Sequence, residues 1–264
     1  MKDYRLGFIG CGHMGMAMAR GACRILNKED IAVYDPSDKV MMICETEGFR
    51  VFKDINQLCN MSQITVLAVR PQDIDTVLEE MKDASSKVIL SIVTGVSISY
   101  LQDKLNNVPV IRAMPNTPLQ INKGSTAICC SSNCPDEAYK FVKDLFSSMG
   151  KCKEIPEEKL NSMVCVHGSI PAYVYYLTEC ILEDMKKRGF KEEEIRELLV
   201  ETIIGSGELM KMNPDKPLSV FVDEVCSKGG TTIEAIDEMK NRGMDRIISD
   251  ANEKCINRAE QLGK

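Results

Sequence analysis

An α/β domain followed by an all-α domain is the fold class this sequence predicts, on three observations. Apolar strand-like runs alternate with helical segments as far as about residue 118. A glycine loop, Gly10-Cys11-Gly12-His13-Met14-Gly15, directly follows the first of those runs. Past about residue 156 helical periodicity continues with no persuasive strand. The division is set at residues 1–155 and 156–264 of the 264-residue chain.

The elements follow in order. Residues 4–9 form an apolar run that reads as a strand. The helix after the glycine loop carries Ala17, Ala19, Gly21 and Ala22, small enough for close packing on a sheet. Residues 31–34 predict a second strand ending at Asp35, with 39–47 helical after it. Residues 63–69 form the next strand, closed by Arg70-Pro71, and 74–81 the next helix. A strand over 87–93 ends at Thr94-Gly95, 97–105 is a short helix, and 108–114 is a strand closed by Pro115-Asn116-Thr117-Pro118. Strands alternating with helices are the mark of a parallel, doubly wound sheet. In the second domain, helices are predicted over 157–188, 191–212, 231–241 and 244–262, with turns at Arg188-Gly189 and Asn213-Pro214. Ile247, Ile248, Ala251, Cys255, Ala259 and Leu262 recur at helical spacing as one apolar stripe. Helices this long with little else to bury them predict a subunit interface, although an isolated bundle would carry the same pattern.

Composition narrows the function. Hydrophobic residues make up 44% and charged residues 27%, an ordinary balance for a globular protein. A net charge of -6 argues against nucleic acid, which requires a basic face. Met1-Lys2-Asp3-Tyr4-Arg5 runs straight into the first strand, unlike a signal peptide, and no apolar run approaches the roughly 20 residues that span a bilayer. No membrane association and a cytoplasmic location are expected. Of the twelve cysteines, Cys129, Cys130 and Cys134 cluster, but no CxxC pair occurs. Reduced, mostly buried thiols and no metal site are the expectation.

Context gives the glycine loop its meaning, since it follows a strand, opens a small-residue helix, and has Asp35 twenty residues after Gly15. That is a dinucleotide-binding, Rossmann-type arrangement. Gly10 permits the tight turn, Gly12 lets a pyrophosphate approach the backbone, and Gly15 allows close helix–strand packing. Ile9, Cys11, His13 and Met14 complete the loop. The carboxyl ends of the strands face the ligand in such a sheet, which marks Ala68, Val69, Arg70, Pro71, Ile92, Val93 and Thr94 as cofactor contacts. Asn116 is a candidate for the nicotinamide pocket, with a plain proline-bounded turn as the alternative. Asp35 is placed to accept from a ribose 2′-hydroxyl and would repel a 2′-phosphate, which favours NADH over NADPH. Alternatively Ser37 and Lys39 hold that phosphate while Asp35 caps a turn.

A second site is legible at Cys226-Ser227-Lys228-Gly229-Gly230-Thr231-Thr232-Ile233-Glu234. Ser227 offers a hydroxyl, Gly229 and Gly230 let the backbone turn, and Thr231 precedes Glu234 by the spacing of a capping box. A helix starting there would aim its first N–H groups and positive dipole end at one point, which suits a carboxylate or phosphate. A glycine-rich turn before a well-capped helix accounts for the same residues.

Taken together the chain resembles pyrroline-5-carboxylate reductase over essentially its whole length. The resemblance rests on Phe8-Ile9-Gly10-Cys11-Gly12 with Met14-Gly15, on Ala68-Val69-Arg70-Pro71-Gln72, and on Arg112 to Pro118. It extends to Pro171-Ala172-Tyr173-Val174 and Gly229 to Ala235. It implies an all-α C-terminal dimerisation domain, a homodimer that assembles to a decamer, and active sites combining the nucleotide domain of one chain with helices of another. It also implies the substrate, a cyclic imine carboxylate reduced to proline with NADH or NADPH. Ser227 and the amides of Gly229, Gly230, Thr231 and Thr232 would then hold the carboxylate, and the Thr232 hydroxyl would hydrogen-bond the ring nitrogen as the catalytic group.

The chain departs from the family at His13, His167, Ile170, Lys228 and Glu224. His167 is either a proton source or a packing residue. Lys228 would strengthen anion binding or point to solvent, and Glu224 would again disfavour a 2′-phosphate. Rival readings are a reductase of another cyclic imine or of a 3-hydroxy acid, and a non-catalytic nucleotide-binding regulator. Hydroxy-acid dehydrogenases use an interdomain lysine, and residues 168–183 contain none. A regulator would have a damaged cradle, whereas Ser227, Gly230 and Thr232 are all present.

Overall fold

A computed structural model describes residues 3–263. The elements of its first unit run β1 (Tyr4–Ile9), α1 (His13–Ala22), β2 (Ile31–Tyr34), α2 (Asp38–Thr46), β3 (Arg50–Val51), α3 (Ile55–Asn60) and β4 (Ser62–Leu67). They continue with α4 (Ile74–Glu80), β5 (Ile89–Ser91), α5 (Ile98–Lys104), β6 (Val110–Met114), β7 (Gly124–Cys130), α6 (Asp136–Ser148), β8 (Gly150–Glu154) and α7 (Glu157–Leu160). Among the described residues the eight strands form one sheet in the order β3-β2-β1-β4-β5-β6-β7-β8. From β3 to β6 every pairing is parallel, the arrangement the alternating pattern predicts.

The wholly parallel sheet needs one correction, because β7 runs antiparallel to β6. Only the nine residues 115–123 separate these two strands, too few for the dozen or so that a parallel crossover requires. Helix α6 supplies that length for the next connection, and β8 returns parallel to β7. The pattern also left β3, α3, β7, α6 and β8 unread, and it drew the strands at 63–69, 87–93 and 108–114 longer than they are.

Alternation along each strand builds two cores. Leu6, Phe8, Ile31, Val33, Ile64 and Val66 pack with α1, α2 and α6. Ile9, Ala32, Leu67, Ile89 and Val110 pack instead with α3, α4 and α5. This explains the near-continuous apolar runs, since a sheet covered on both faces buries successive residues to opposite sides.

The remaining helices are α8 (Ile170–Lys187), α9 (Glu192–Met212), α10 (Leu218–Val225), α11 (Thr231–Asn241) and α12 (Met244–Gln261). The single helix expected over 157–188 is instead α7, a 3-10 turn at Asn161–Cys165, and α8. The break falls at 166–169, where Ser169 N–H donates back to the Val164 carbonyl, 2.7 Å. The described chain separates into two compact units, one running up to Pro171 and rejoined from Cys255, the other Ala172–Lys254. Within the second unit α9, α10 and α11 bury no residue and α8 buries only Leu182. Large apolar side chains such as Tyr176, Leu198, Met212 and Leu218 are 64–75% exposed on this single chain. Apolar area on that scale marks an association surface. The stripe on α12 divides accordingly, with Ala259 buried and Ile247 and Ile248 exposed.

All twelve cysteines are free thiols, but the expectation that most are buried is corrected. Cys11, Cys44, Cys59 and Cys129 are buried, six others are half-buried, and Cys130 and Cys180 are exposed.

Candidate active site

The dinucleotide loop is built by three glycines with different tasks. Gly10 takes φ +93°, and a Cβ there would stand 2.6 Å from the Ala68 carbonyl oxygen. Its N–H donates to the Tyr34 carbonyl, 2.9 Å, which ties β1 to β2 where the chain leaves the sheet. A Cβ on Gly15 would meet the Gly10 carbonyl oxygen at 2.1 Å, so α1 lies directly on its own entry loop. A Cβ on Gly12 would meet nothing within 4 Å. Gly12 is also the residue before α1, and no side chain caps that helix. Open space and uncapped amides at a helix N-terminus suit a phosphate group.

Around this loop the structure collects the ends of the parallel strands. Ala68 and Val69 follow β4, Ile92 and Thr94 follow β5, and all four are half-buried. Ile9, Cys11 and Val93 turn their side chains into the core, so only their backbones face outward. The hydrogen bond Cys11 shares with Cys44, together with burial, pushes its thiol well above the usual range and keeps it protonated. His13 is exposed, Met14 and Pro71 are half-buried, and Arg70 turns its guanidinium to the Asp73 carboxylate, 2.8 Å.

Asp35 is more occupied than sequence indicates. One carboxylate oxygen accepts the Cys11 N–H at 2.8 Å and the other accepts the Ser37 N–H at 2.9 Å. Asp35 therefore caps the turn after β2 and pins the glycine loop to it. Each oxygen keeps a further lone pair for a ligand hydroxyl. Glu224 is also spoken for, since its carboxylate pairs with Lys216. That partner offsets the negative charge on which its expected repulsion of a 2′-phosphate rests.

Asn116, two residues past β6, is 8% exposed and uses its whole amide. Its Oδ1 accepts the Ser125 N–H at 2.8 Å, and its Nδ2 donates to the His167 carbonyl at 3.1 Å. The side chain thus ties the start of β7 to the segment entering α8. Sequence reading missed Ser125 altogether, and gave no role to Arg112. The Arg112 guanidinium, 4% exposed, donates to Glu157 at 2.8 Å and to Asn161 at 3.1 Å. Glu157 also accepts the Ile98 N–H, 2.7 Å. An arginine inside an otherwise apolar strand is the signal that could have found this cluster, because a buried guanidinium requires partners.

On the second unit, the segment between α10 and α11 forms the turn that its glycines predict. Gly229 takes φ +71°, and the Gly230 N–H donates to the Ser227 carbonyl, 2.9 Å. A Cβ on Gly230 would stand 2.4 Å from the Ser227 hydroxyl oxygen. The capping box is corrected: Gly230 is the residue before α11, Thr231 is already helical, and no side chain caps this end. The first amides of α11 therefore have no intrahelical acceptor. Ser227, Lys228 and Thr231 are exposed beside them, and Thr232 is half-buried.

Two family models match the chain, one in each part. Residues 157–262 match pyrroline-5-carboxylate reductase dimerisation, and residues 5–95 match NADP oxidoreductase coenzyme F420-dependent. Among known proteins, pyrroline-5-carboxylate reductase of Escherichia coli is 31% identical over 99% of this chain and 99% of its own. The Aquifex aeolicus protein of that name is also 31% identical, over 98% of this chain and 96% of its own. Among solved structures, Plasmodium falciparum pyrroline carboxylate reductase with NADP bound superposes with a TM-score of 0.91 at 30% identity, covering 100% of both chains. The 1-pyrroline-5-carboxylate reductase of Streptococcus pyogenes gives 0.90 at 28% identity over 97% of this chain and 98% of its own.

Proposed function

Because the chain belongs to the pyrroline-5-carboxylate reductase family, we infer that it reduces L-1-pyrroline-5-carboxylate to L-proline with NAD(P)H, the last step of proline biosynthesis. One observation carries this: the likeness to enzymes of that name runs through the whole length of both chains. The glycine loop fits the cofactor, because Gly12 faces open space and no side chain caps α1. When bound, the reduced nicotinamide supplies the hydride.

The chain supplies position and electrostatics. Ser227, with the amides of Gly229, Gly230, Thr231 and Thr232, holds the substrate carboxylate. The turn at Gly229 and the uncapped start of α11 support that role. The exposed Lys228 adds a positive charge beside it. The Thr232 hydroxyl hydrogen-bonds the imine nitrogen and orients the C=N bond for hydride addition. A protonated imine accepts hydride far better than a neutral one, and Thr232 holds that proton in place.

The dinucleotide-binding part is assigned to residues 1–155, and substrate binding and dimerisation to 156–264; the dimerisation model, which begins at residue 157, supports the division. The protein is a homo-oligomer, and the proposed assembly is a decamer of five dimers. No described helix is long and apolar enough to cross a membrane. Twelve free thiols suit a reducing compartment, so the cytoplasm is the proposed location.

NADH is the proposed preferred cofactor, since the Asp35 carboxylate would repel a 2′-phosphate. Steady-state reduction of pyrroline-5-carboxylate with NADH and NADPH in parallel tests the reading. Turnover with kcat/KM about tenfold higher for NADH is expected, the size of a modest charge repulsion. A preference for NADPH would overturn the role of Asp35 alone. No turnover with either would remove the substrate.

A further inference from the structure

The imidazole of His167 is 8% exposed, and neither ring nitrogen meets a hydrogen-bond partner among the described residues. Its backbone, by contrast, is firmly held. The N–H donates to the Met163 carbonyl at 3.1 Å, and the carbonyl accepts from Asn116 at 3.1 Å. Two residues on, the Ser169 hydroxyl lies 3.3 Å from the Cys255 thiol of α12. A buried imidazole with both nitrogens unmet is costly, and native structures keep such groups where something else completes them.

Its place in the fold says what that is. In a doubly wound sheet with the order 3-2-1-4-5-6, each half holds one nucleotide. The half with β1 to β3 carries the glycine loop and Asp35, which serve the pyrophosphate and the adenosine ribose. The half with β4 to β6 is then left for the nicotinamide. Asn116 fixes His167 at the carboxyl end of β6, in that second half. Burial also holds the imidazole below its ordinary range, with no charged neighbour contributing. Burial therefore favours the uncharged ring, which carries one N–H donor and one acceptor.

We propose that His167 donates a ring N–H hydrogen bond to the carboxamide of the bound nicotinamide and so fixes the orientation of the face that gives up hydride. Since both nitrogens are closed off in this chain while the backbone is held, the ring turns about its own side-chain bonds as the cofactor binds. The proposal rests on the nicotinamide-dinucleotide reading above, and its test separates the two.

The sequence contains two histidines, so protein labelled with 13C in its histidine rings gives two sets of imidazole signals. The set missing from a His167→Asn variant belongs to His167. The protein is titrated with NADH, or with NADPH if that binds more tightly, and separately with ADP-ribose, which lacks the nicotinamide. The His167 signals are expected to move with the dinucleotide and stay still with ADP-ribose, while His13 in the glycine loop responds to both. Equal behaviour of His167 towards the two ligands overturns the proposal while leaving the dinucleotide site intact. Silence of both histidines towards both ligands overturns the cofactor reading, and the proposal with it.

Affinity gives a second readout. His167→Phe is expected to weaken dinucleotide binding about three- to tenfold, the loss of one hydrogen bond. It should leave ADP-ribose binding unchanged, and His167→Asn, which keeps an N–H, should stay nearer the wild type. Unchanged dinucleotide affinity in His167→Phe contradicts the contact. Should that variant fail to fold, the titration of the unaltered protein decides.

Discussion

Gly15→Ala is expected to abolish measurable cofactor binding and to lower Tm, whereas Gly12→Ala should spare Tm and weaken binding alone. The methyl group added at Gly15 would sit 2.1 Å from the Gly10 carbonyl oxygen and 3.1 Å from its carbon. Both atoms are backbone, in the loop that Gly10 holds with its own φ of +93°. No side chain can swing aside there, so α1 must move off β1 and take the loop with it. Overpacking of this kind costs about 1–3 kcal/mol in stability, and a displaced loop no longer presents its amides to one phosphate. At Gly12 the methyl group would enter empty space. Its effect is confined to the ligand that space admits, an affinity loss of at least about tenfold. Thermal melts and fluorescence titrations with NADH on both variants check the contrast. Full affinity in Gly12→Ala would mean that the pyrophosphate lies elsewhere.

The second large effect is expected at Thr232→Ala, whose kcat should fall about tenfold to a hundredfold. That is the loss of the one contact that keeps the imine protonated and its C=N bond oriented for hydride addition. Thr232 is the second residue of α11 and only half-buried, so the change should leave Tm and NADH affinity near the wild type. Thr232→Ser keeps the hydroxyl and should recover most of the rate. The split matters, because a residue that merely shaped the turn would lower stability or substrate affinity and leave kcat unchanged. A Thr232→Ala enzyme with undiminished kcat would remove the hydroxyl from the chemistry and leave the carboxylate to Ser227 and the amides.

Much of this was legible in the residues themselves. The run from Tyr4 to Gly15 specifies strand, turn and helix through apolar character and three glycines, and the structure builds each where expected. The strands β1, β2, β4, β5 and β6 were readable because a sheet buried on both faces writes itself as continuous apolar runs. Strand β8, Gly-Lys-Cys-Lys-Glu, lies at the sheet edge with its lysines exposed, so it carries no such run. Helix α10 carries three valines and a phenylalanine, residues that favour strands, so propensity gives no helical signal there.

The site divides along the same line. Glycines whose backbone angles matter announce themselves, as Gly10 and Gly229 do. Hydrogen-bond commitments do not, because they depend on which residues the fold brings together. Nothing local predicts that the carboxylate of Asp35 binds the amides of Cys11 and Ser37, or that Glu224 is matched by Lys216. The place of Asn116 after a strand marks it as a candidate cofactor contact, but nothing local announces that its amide binds Ser125 and His167. The capping box failed for a related reason. Thr231 and Glu234 have the spacing, but Gly230 takes the extended angles of the residue before the helix, and the frame shifts by one.

The most direct measurement is to supply L-1-pyrroline-5-carboxylate with reduced cofactor dideuterated at C4 of the nicotinamide and to identify the product by mass and NMR. The expected result is proline carrying one deuterium at the former imine carbon, with one cofactor oxidised for each proline formed. Cofactor oxidation without proline, or proline free of deuterium at that carbon, would contradict hydride transfer to the imine as the reaction of this protein.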